Sequence, residues 1–442
     1  MRRTIFIAVL GAVFLVGASI AAYSLGTGGP TASDQRPNVV MVIGCTLRKD
    51  QISAYGGHPA SSPFLGKIAK KGVIFLDAFD AAPWTKAAST ALMTGQHPIS
   101  IGMIEPMDHG NRRLLSQQVT TLGEHFKGAG YSTFGLTANP NTSAVFGFDQ
   151  GFDEYYDEPL WRNNGMDKVP GREMVDRALE MLVKKKPNVP FYLQLMLVDT
   201  HSPVTVKTKE REKYVLEGEP KRLADYRAML KDFDSAVARL HRKMSDKSNT
   251  YFIVVNDHGE GLNWPEHHGK GHGRNTYPSA VSMPWLMMGP NIPANHSISG
   301  IASQVDVVPT ILGLLGIDGY EGPGQNWSSS VLGETNQTTR ERAYVDTWFR
   351  GANRAGVYTV DLYCKAGYTE KRLARRQTSC YGRADDPDAL GRLKKKFPLE
   401  QELLQWREGM YDKFNAWSDT TDAEIGDELR QSLEALGYMD DQ

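Results

Sequence analysis

Cysteine is scarce in this chain of 442 residues: there are three, at positions 45, 364 and 380. Cys364 and Cys380 can close a disulfide in an oxidising compartment, which leaves Cys45 over, but three cysteines do not make a disulfide framework. Net charge is also missing, since 50 Lys and Arg stand against 51 Asp and Glu. Without an excess of positive charge there is no electrostatic case for nucleic acid as a partner. Internal repeats and long low-complexity tracts are absent as well. What remains is a chain long enough to bury a large core in two or three structural units.

A hydrophobic run near membrane-spanning length occurs at the N-terminus. Met1-Arg2-Arg3 precedes Ile5–Ala22, which is apolar or small throughout, and a Gly/Ser/Thr/Pro stretch runs from Ser24 to Arg36. Two arginines before such a run direct it into a membrane with the remainder outside the cytoplasm. Residues 1–23 are therefore expected to be a signal peptide or an N-terminal membrane anchor, and 24–36 a linker. The body of the protein is expected in the periplasm or another extracytoplasmic space, with membrane association through residues 5–22.

From residue 37 onward, strands and helices alternate. Continuous apolar runs at Asn38–Ile43, Val73–Phe79, Tyr131–Thr137, Phe191–Val198, Tyr251–Val255 and Pro284–Met288 read as buried strands. Between them, Ser62–Lys71, Lys86–Gly95, Gly171–Lys186, Lys221–Asp246 and Val307–Leu315 read as helices. Thr121-x-x-Glu124 is a capping box opening another, which closes at Gly130. This pattern predicts an α/β fold with a mostly parallel central sheet flanked by helices, over residues 37–333. Beyond about Gly333 the texture changes. Short strands at Ala343–Val345 and Gly356–Tyr363, a basic stretch at Lys371–Arg376 and a terminal helix at Glu424–Leu436 predict a smaller α+β unit over 334–442.

Several strands deliver chemistry at their carboxyl ends, where open α/β sheets place their ligands. Tyr251–Val255 stops at Asn256-Asp257-His258-Gly259-Glu260, and His267, His268 and His272 follow, so four of the eleven histidines fall between 258 and 272. The first strand ends at Gly44-Cys45-Thr46-Leu47-Arg48, and Phe191–Val198 ends at Asp199-Thr200-His201. Thr85 stands in the first turn of the small-residue helix, a hydroxyl at the positive end of a helix dipole.

Taken in order, these phrases resemble the sulfatase family of the alkaline phosphatase superfamily. Asn38–Arg48 is similar to its first metal-binding strand and Ala82–Gly95 to its nucleophile segment ending in L-x-T-G. Gly147–Asp153 (GFDQGFD), the D-x-H-x-P turn at Asp199–Pro203, the D-H-G-E turn at Asp257–Glu260, Ser303–Leu312 and the L-x-A-L-G-Y ending at Leu433–Tyr438 also match. The resemblance spans roughly residues 37–440 and implies an alkaline-phosphatase-like fold. It also implies a metal-dependent enzyme acting on a sulfate or phosphate ester, whose carrier is a glycan or a lipid head group.

Two departures from the family pattern matter. Formylglycine sulfatases need Cys or Ser in C/S-x-P-x-R, whereas this chain has Thr85-Lys86-Ala87-Ala88-Ser89, so the modified aldehyde is not expected. Thr85 does match the threonine nucleophile of relatives resembling phosphoethanolamine transferases and lipoteichoic acid synthases. On the first strand the family's carboxylates are replaced, with Cys45 at the position that matters. A thiolate suits Zn²⁺ better than Ca²⁺ or Mg²⁺. The resemblance thus implies a divalent-metal site made of Cys45, Asp257, His258 and Thr85, with Thr85, His201 and His272 as catalytic residues. The leading expectation is an exported hydrolase; the alternatives are a phosphoethanolamine-type transferase and an inactive sulfatase-fold binding protein.

Overall fold

The computed structural model describes residues 36–104, 113–157, 161–162, 167–335, 340–369, 372–415 and 422–435. The expected signal or anchor segment, nearly all of the linker and the Gly437-Tyr438 ending lie outside these residues. Among the described residues no helix is long and apolar enough to cross a membrane.

An eight-stranded sheet forms the centre. Its strands are β1 (Asn38–Gly44), β2 (Val73–Phe79), β3 (Ser132–Thr137), β4 (Glu154–Tyr156), β5 (Phe191–Leu197), β6 (Thr250–Asn256), β7 (Ser282–Met288) and β8 (His296–Ser303). Their order across the sheet is β8-β2-β7-β6-β1-β5-β3-β4. β7 alone is reversed, pairing antiparallel with both β6 and β2; the other contacts are parallel. Every residue of β1, β5 and β6 is buried, which is why these strands are continuously apolar rather than alternating.

Helices α1 (Pro63–Lys71), α2 (Thr85–Thr94), α3 (Leu122–Gly128), α4 (Gly171–Val183), α5 (Lys221–Lys243) and α6 (Val307–Leu315) flank the sheet. α1, α4 and α5 pack together as one layer, and α2 packs with α3 and α6. α3 opens on the expected capping box between Thr121 and Glu124. α1 has no local cap, and the buried carboxylate of Asp234 on α5 accepts from the Phe64 and Leu65 amides instead, at 2.8 and 2.9 Å.

The C-terminal unit is an antiparallel sheet of β9 (Ala343–Phe349), β10 (Ala352–Tyr358), β11 (Leu362–Thr369) and β12 (Arg372–Gly382), followed by α7 (Pro398–Asn415) and α8 (Asp427–Ala435). Here the sequence expectation needs correction. Gly356–Tyr363 is not one strand but the end of β10, a turn and the start of β11. Thr359 makes that turn, its amide donating to Leu362 O at 2.8 Å and its hydroxyl accepting from Leu362 N at 3.0 Å. The basic stretch belongs in part to β12, and α7 and β8 carried no clear signal in the sequence. Cys364 and Cys380 stand directly opposite each other in the β11–β12 register and are disulfide-bonded, leaving Cys45 as the free cysteine.

Candidate active site

Five central strands end at the same edge of the sheet, and their carboxyl ends build the site. At the end of β1 the Cys45 amide donates to Leu197 O at 2.8 Å and its carbonyl accepts from Thr200 Oγ1 at 2.6 Å, which locks Cys45 beside β5. Thr46 follows with φ of 56°, a left-handed conformation costly for a β-branched residue. The turn aims the Thr46 amide at Asp257 Oδ1, 2.9 Å away. Tyr226 clamps the same turn, donating to Thr46 O and accepting from the Arg48 amide, both at 2.7 Å.

Asp257 and His258 leave β6 fully buried. Asp257 Oδ1 also accepts from the His258 amide at 2.6 Å, and its carbonyl takes a bond from Gln304 Nε2 at 2.8 Å. Asp257 Oδ2, by contrast, is buried without a hydrogen-bond partner among the described residues. His258 Nδ1 lies 2.7 Å from Gly259 O, so Nδ1 carries the hydrogen and Nε2 a lone pair. Gly259 is required here, because a Cβ would meet Ser279 O at 2.0 Å.

Thr85 is the first residue of α2, as the sequence implied. Its Oγ1 lies 3.2 Å from His258 Nε2 and 3.9 Å from Cys45 Sγ. Cys45, Asp257 and His258 offer ligand atoms that all lie within 4.8 Å of one another. Burial, together with the charge of Asp257, pushes the Cys45 thiol well above its usual pKa, while burial lowers His258 despite Asp257.

His201 and His272 stand beside this cluster. The His272 ring centroid is 4.6 Å from that of His258 and 5.2 Å from that of His201. His272 leaves a short hairpin made by Gly261–Leu262 and Lys270–Gly271, and its Nδ1 is 3.3 Å from Glu260 Oε2. Burial works against the imidazolium, but Glu260 outweighs it and raises His272; the same pairing holds Glu260 below its usual range despite burial. His201 behaves differently. Burial and the neighbouring His272 lower it to about 4, and its Nδ1 faces Ser202 O at 2.6 Å. Lys168 fixes the His201 turn by donating to the carbonyls of Asp199, at 2.7 Å, and His201.

The remaining histidines of the cluster serve another purpose. His267 and His268 bond to the Asp388 carbonyl, tying the hairpin tip to the C-terminal unit. Lys86 is buried over the Phe146 ring, 3.2 Å from its centroid, and Lys270 is exposed. Two polar residues escaped the sequence reading. Arg48, fully buried on its first-strand turn, donates to the carbonyls of Glu260 at 3.2 Å and Trp264 at 2.9 Å. Asn139 reaches Cys45 Sγ at 3.2 Å from the end of β3. The available signal was its place, a buried polar residue following a strand, the same rule that singled out Asp257.

The sulfatase family model matches residues 37–317, which spans all of these strand ends. The chain belongs to the sulfatase family. Among curated relatives, N-acetylgalactosamine-6-sulfatase of Sus scrofa is 23% identical over 344 residues, 66% of this chain and 64% of the pig protein. The chain thus matches a little under two thirds of that relative's length. The ulvan-active sulfatase of Formosa agariphila is 24% identical over 445 residues, covering 89% of this chain and 83% of that protein. A solved structure of BT4656 in complex with its substrate D-glucosamine-2-N,6-O-disulfate superposes with a TM-score of 0.68 at 16% identity, over 87% of this chain and 99% of that one.

The residues present in this sulfatase-family site fit a divalent cation. A thiol, a carboxylate oxygen without a hydrogen-bond partner among the described residues and an imidazole lone pair converge in a buried cluster, a donor set that suits a cation.

Proposed function

We propose that the protein is an exported sulfate-ester hydrolase that uses Thr85 as nucleophile beside a divalent cation, without formylglycine. The observation that carries this reading is the position of Thr85 Oγ1, on the first turn of α2 and 3.2 Å from His258 Nε2 within the Cys45–Asp257–His258 cluster. Cys45, Asp257, His258 and Thr85 would hold the cation, and the thiol in that set favours zinc over calcium or magnesium. When bound, the cation supplies Lewis-acid stabilisation that makes a threonine hydroxyl a competent nucleophile near neutral pH.

The chain's own residues supply the rest. Thr85 attacks sulfur as the alkoxide, its proton released to solvent, at a helix N-terminus that favours anions. His272, held protonated by Glu260, gives its proton to the departing ester oxygen. His201, kept neutral by burial, offers hydrogen bonding rather than a proton. The sugar sulfates named for the relatives support a sulfated glycan as the substrate. The Cys364–Cys380 bond supports export, since such bonds persist in oxidising compartments. A second reading, a sulfatase fold kept for binding alone, is favoured by Cys45 standing in place of the first-strand carboxylates.

Full-length protein assayed on 4-nitrophenyl sulfate, with mass spectrometry of the Thr85 peptide, separates the two. Turnover that vanishes in Thr85→Ala, with a sulfated Thr85 peptide in the wild type, is expected. A wild type that neither turns over nor forms the adduct, on aryl sulfates or on sulfated sugars, sinks the hydrolase and leaves the binding role.

A further inference from the structure

We infer that Asn139 is a catalytic residue of this site, a fixed N–H donor shared by the nucleophile oxygen of Thr85 and the sulfur of Cys45. The inference rests on the reading of Thr85 as nucleophile.

Asn139 is fully buried at the end of β3. Its side-chain oxygen is committed away from the cluster, accepting from the Asn141 amide at 3.0 Å and from Asn141 Nδ2 at 3.3 Å. That commitment assigns the other end of the amide, because an oxygen bonded to a backbone N–H cannot be exchanged with the NH₂ without losing the bond. Nδ2 must then be the atom facing the site, 3.2 Å from Cys45 Sγ and 3.5 Å from Thr85 Oγ1. Sγ and Oγ1 are themselves 3.9 Å apart, so one NH₂ group faces both atoms.

The arrangement also orients the hydroxyl. Oγ1 lies 3.2 Å from His258 Nε2 and 3.5 Å from the Asn139 Nδ2 donor, so an oxygen lone pair faces Asn139. When the sulfated Thr85 is hydrolysed, water gives one proton to His272 as its oxygen bonds to sulfur. The S–Oγ1 bond breaks with its electron pair left on Oγ1, which then takes the remaining water proton. Asn139 stands where that charge appears, the geometry in which a preorganised donor acts most strongly.

The test uses full-length Asn139→Ala and Asn139→Asp, the second keeping an oxygen for the Asn141 amide while removing the donor. Both are expected to lose about 10²-fold in kcat on 4-nitrophenyl sulfate, with KM within about threefold and cobalt bound stoichiometrically. In the cobalt-loaded proteins the thiolate-to-metal charge-transfer band is expected to move to lower energy when the N–H bond to Sγ is lost. A kcat that survives in an active background overturns the inference, as does an unmoved band with a loss explained wholly by missing metal. A wild type without turnover or cobalt binding overturns the parent reading as well, and is seen before any variant is made.

Discussion

The three cysteines occupy two regions built on opposite terms. At the end of β1, Cys45 is a buried thiol beside Asp257, Thr85 and Asn139, next to a left-handed threonine and a carboxylate oxygen without a hydrogen-bond partner among the described residues. In the C-terminal sheet, Cys364 and Cys380 answer each other across neighbouring strands. Polar groups around that sheet close on themselves in the same way: Arg407 donates to Asp346 and Asn353, and Thr378 to Glu400. The free thiol stands at a strand end of the central sheet, where open α/β sheets place their chemistry, and the paired sulfurs of the second region serve its shape.

The largest effect is expected from Cys45. Cys45→Ala should release the metal and take turnover down by more than about 10²-fold, beyond the 10–100-fold typical of outer partners of a metal site. Metal analysis and turnover of one preparation check this. A variant that keeps both its metal and its activity breaks the contrast between the two regions, because Cys45 is then a packed thiol like any other.

A smaller effect, specific to proton transfer, is expected at Glu260. Its charge raises His272, so His272 stays protonated to higher pH than a free imidazole and the rate falls only as pH passes its raised pKa. In Glu260→Gln that support is gone, and the alkaline limb of the kcat profile should move to lower pH. The direction of the move decides: an unmoved limb means that His272 is not the acid.

Much of this was legible beforehand, and the reason lies in burial. β1, β5 and β6 are covered on both faces, so their sequences are continuous apolar runs with a polar stop, and the stops carry the residues of the candidate site. That logic placed Cys45, Asp257, His201 and, through the helix that follows β2, Thr85. It was not extended to Asn139, two residues beyond the end of β3, and it did not give the roles of the two histidines. Glu260 raises one and burial lowers the other, a difference set by tertiary contacts. In the C-terminal unit, half-buried strands joined by a turn without glycine gave no such stops, and one expected strand proved to be parts of two.

The mildest effect on catalysis is expected from the disulfide. Replacing Cys364 and Cys380 together by Ser opens a loop with a sequence separation of 16 residues, a closure worth about 3 kcal/mol. Urea unfolding should show that loss as a lower midpoint. Turnover of the folded protein should stay within about twofold, because β9 contacts His272 and its neighbour Gly273, whereas the disulfide-bonded β11 reaches the same loop further on, where Tyr363 bonds Thr276. On β9, Thr347 donates to Gly273 O beside His272, and Phe349 packs between Trp84 and His272 at centroid distances of 5.7 and 6.5 Å. A double variant that loses turnover while still folded would show that strain at β11–β12 travels through β10 to β9. The closed region would then be part of the scaffold that holds His272 in place.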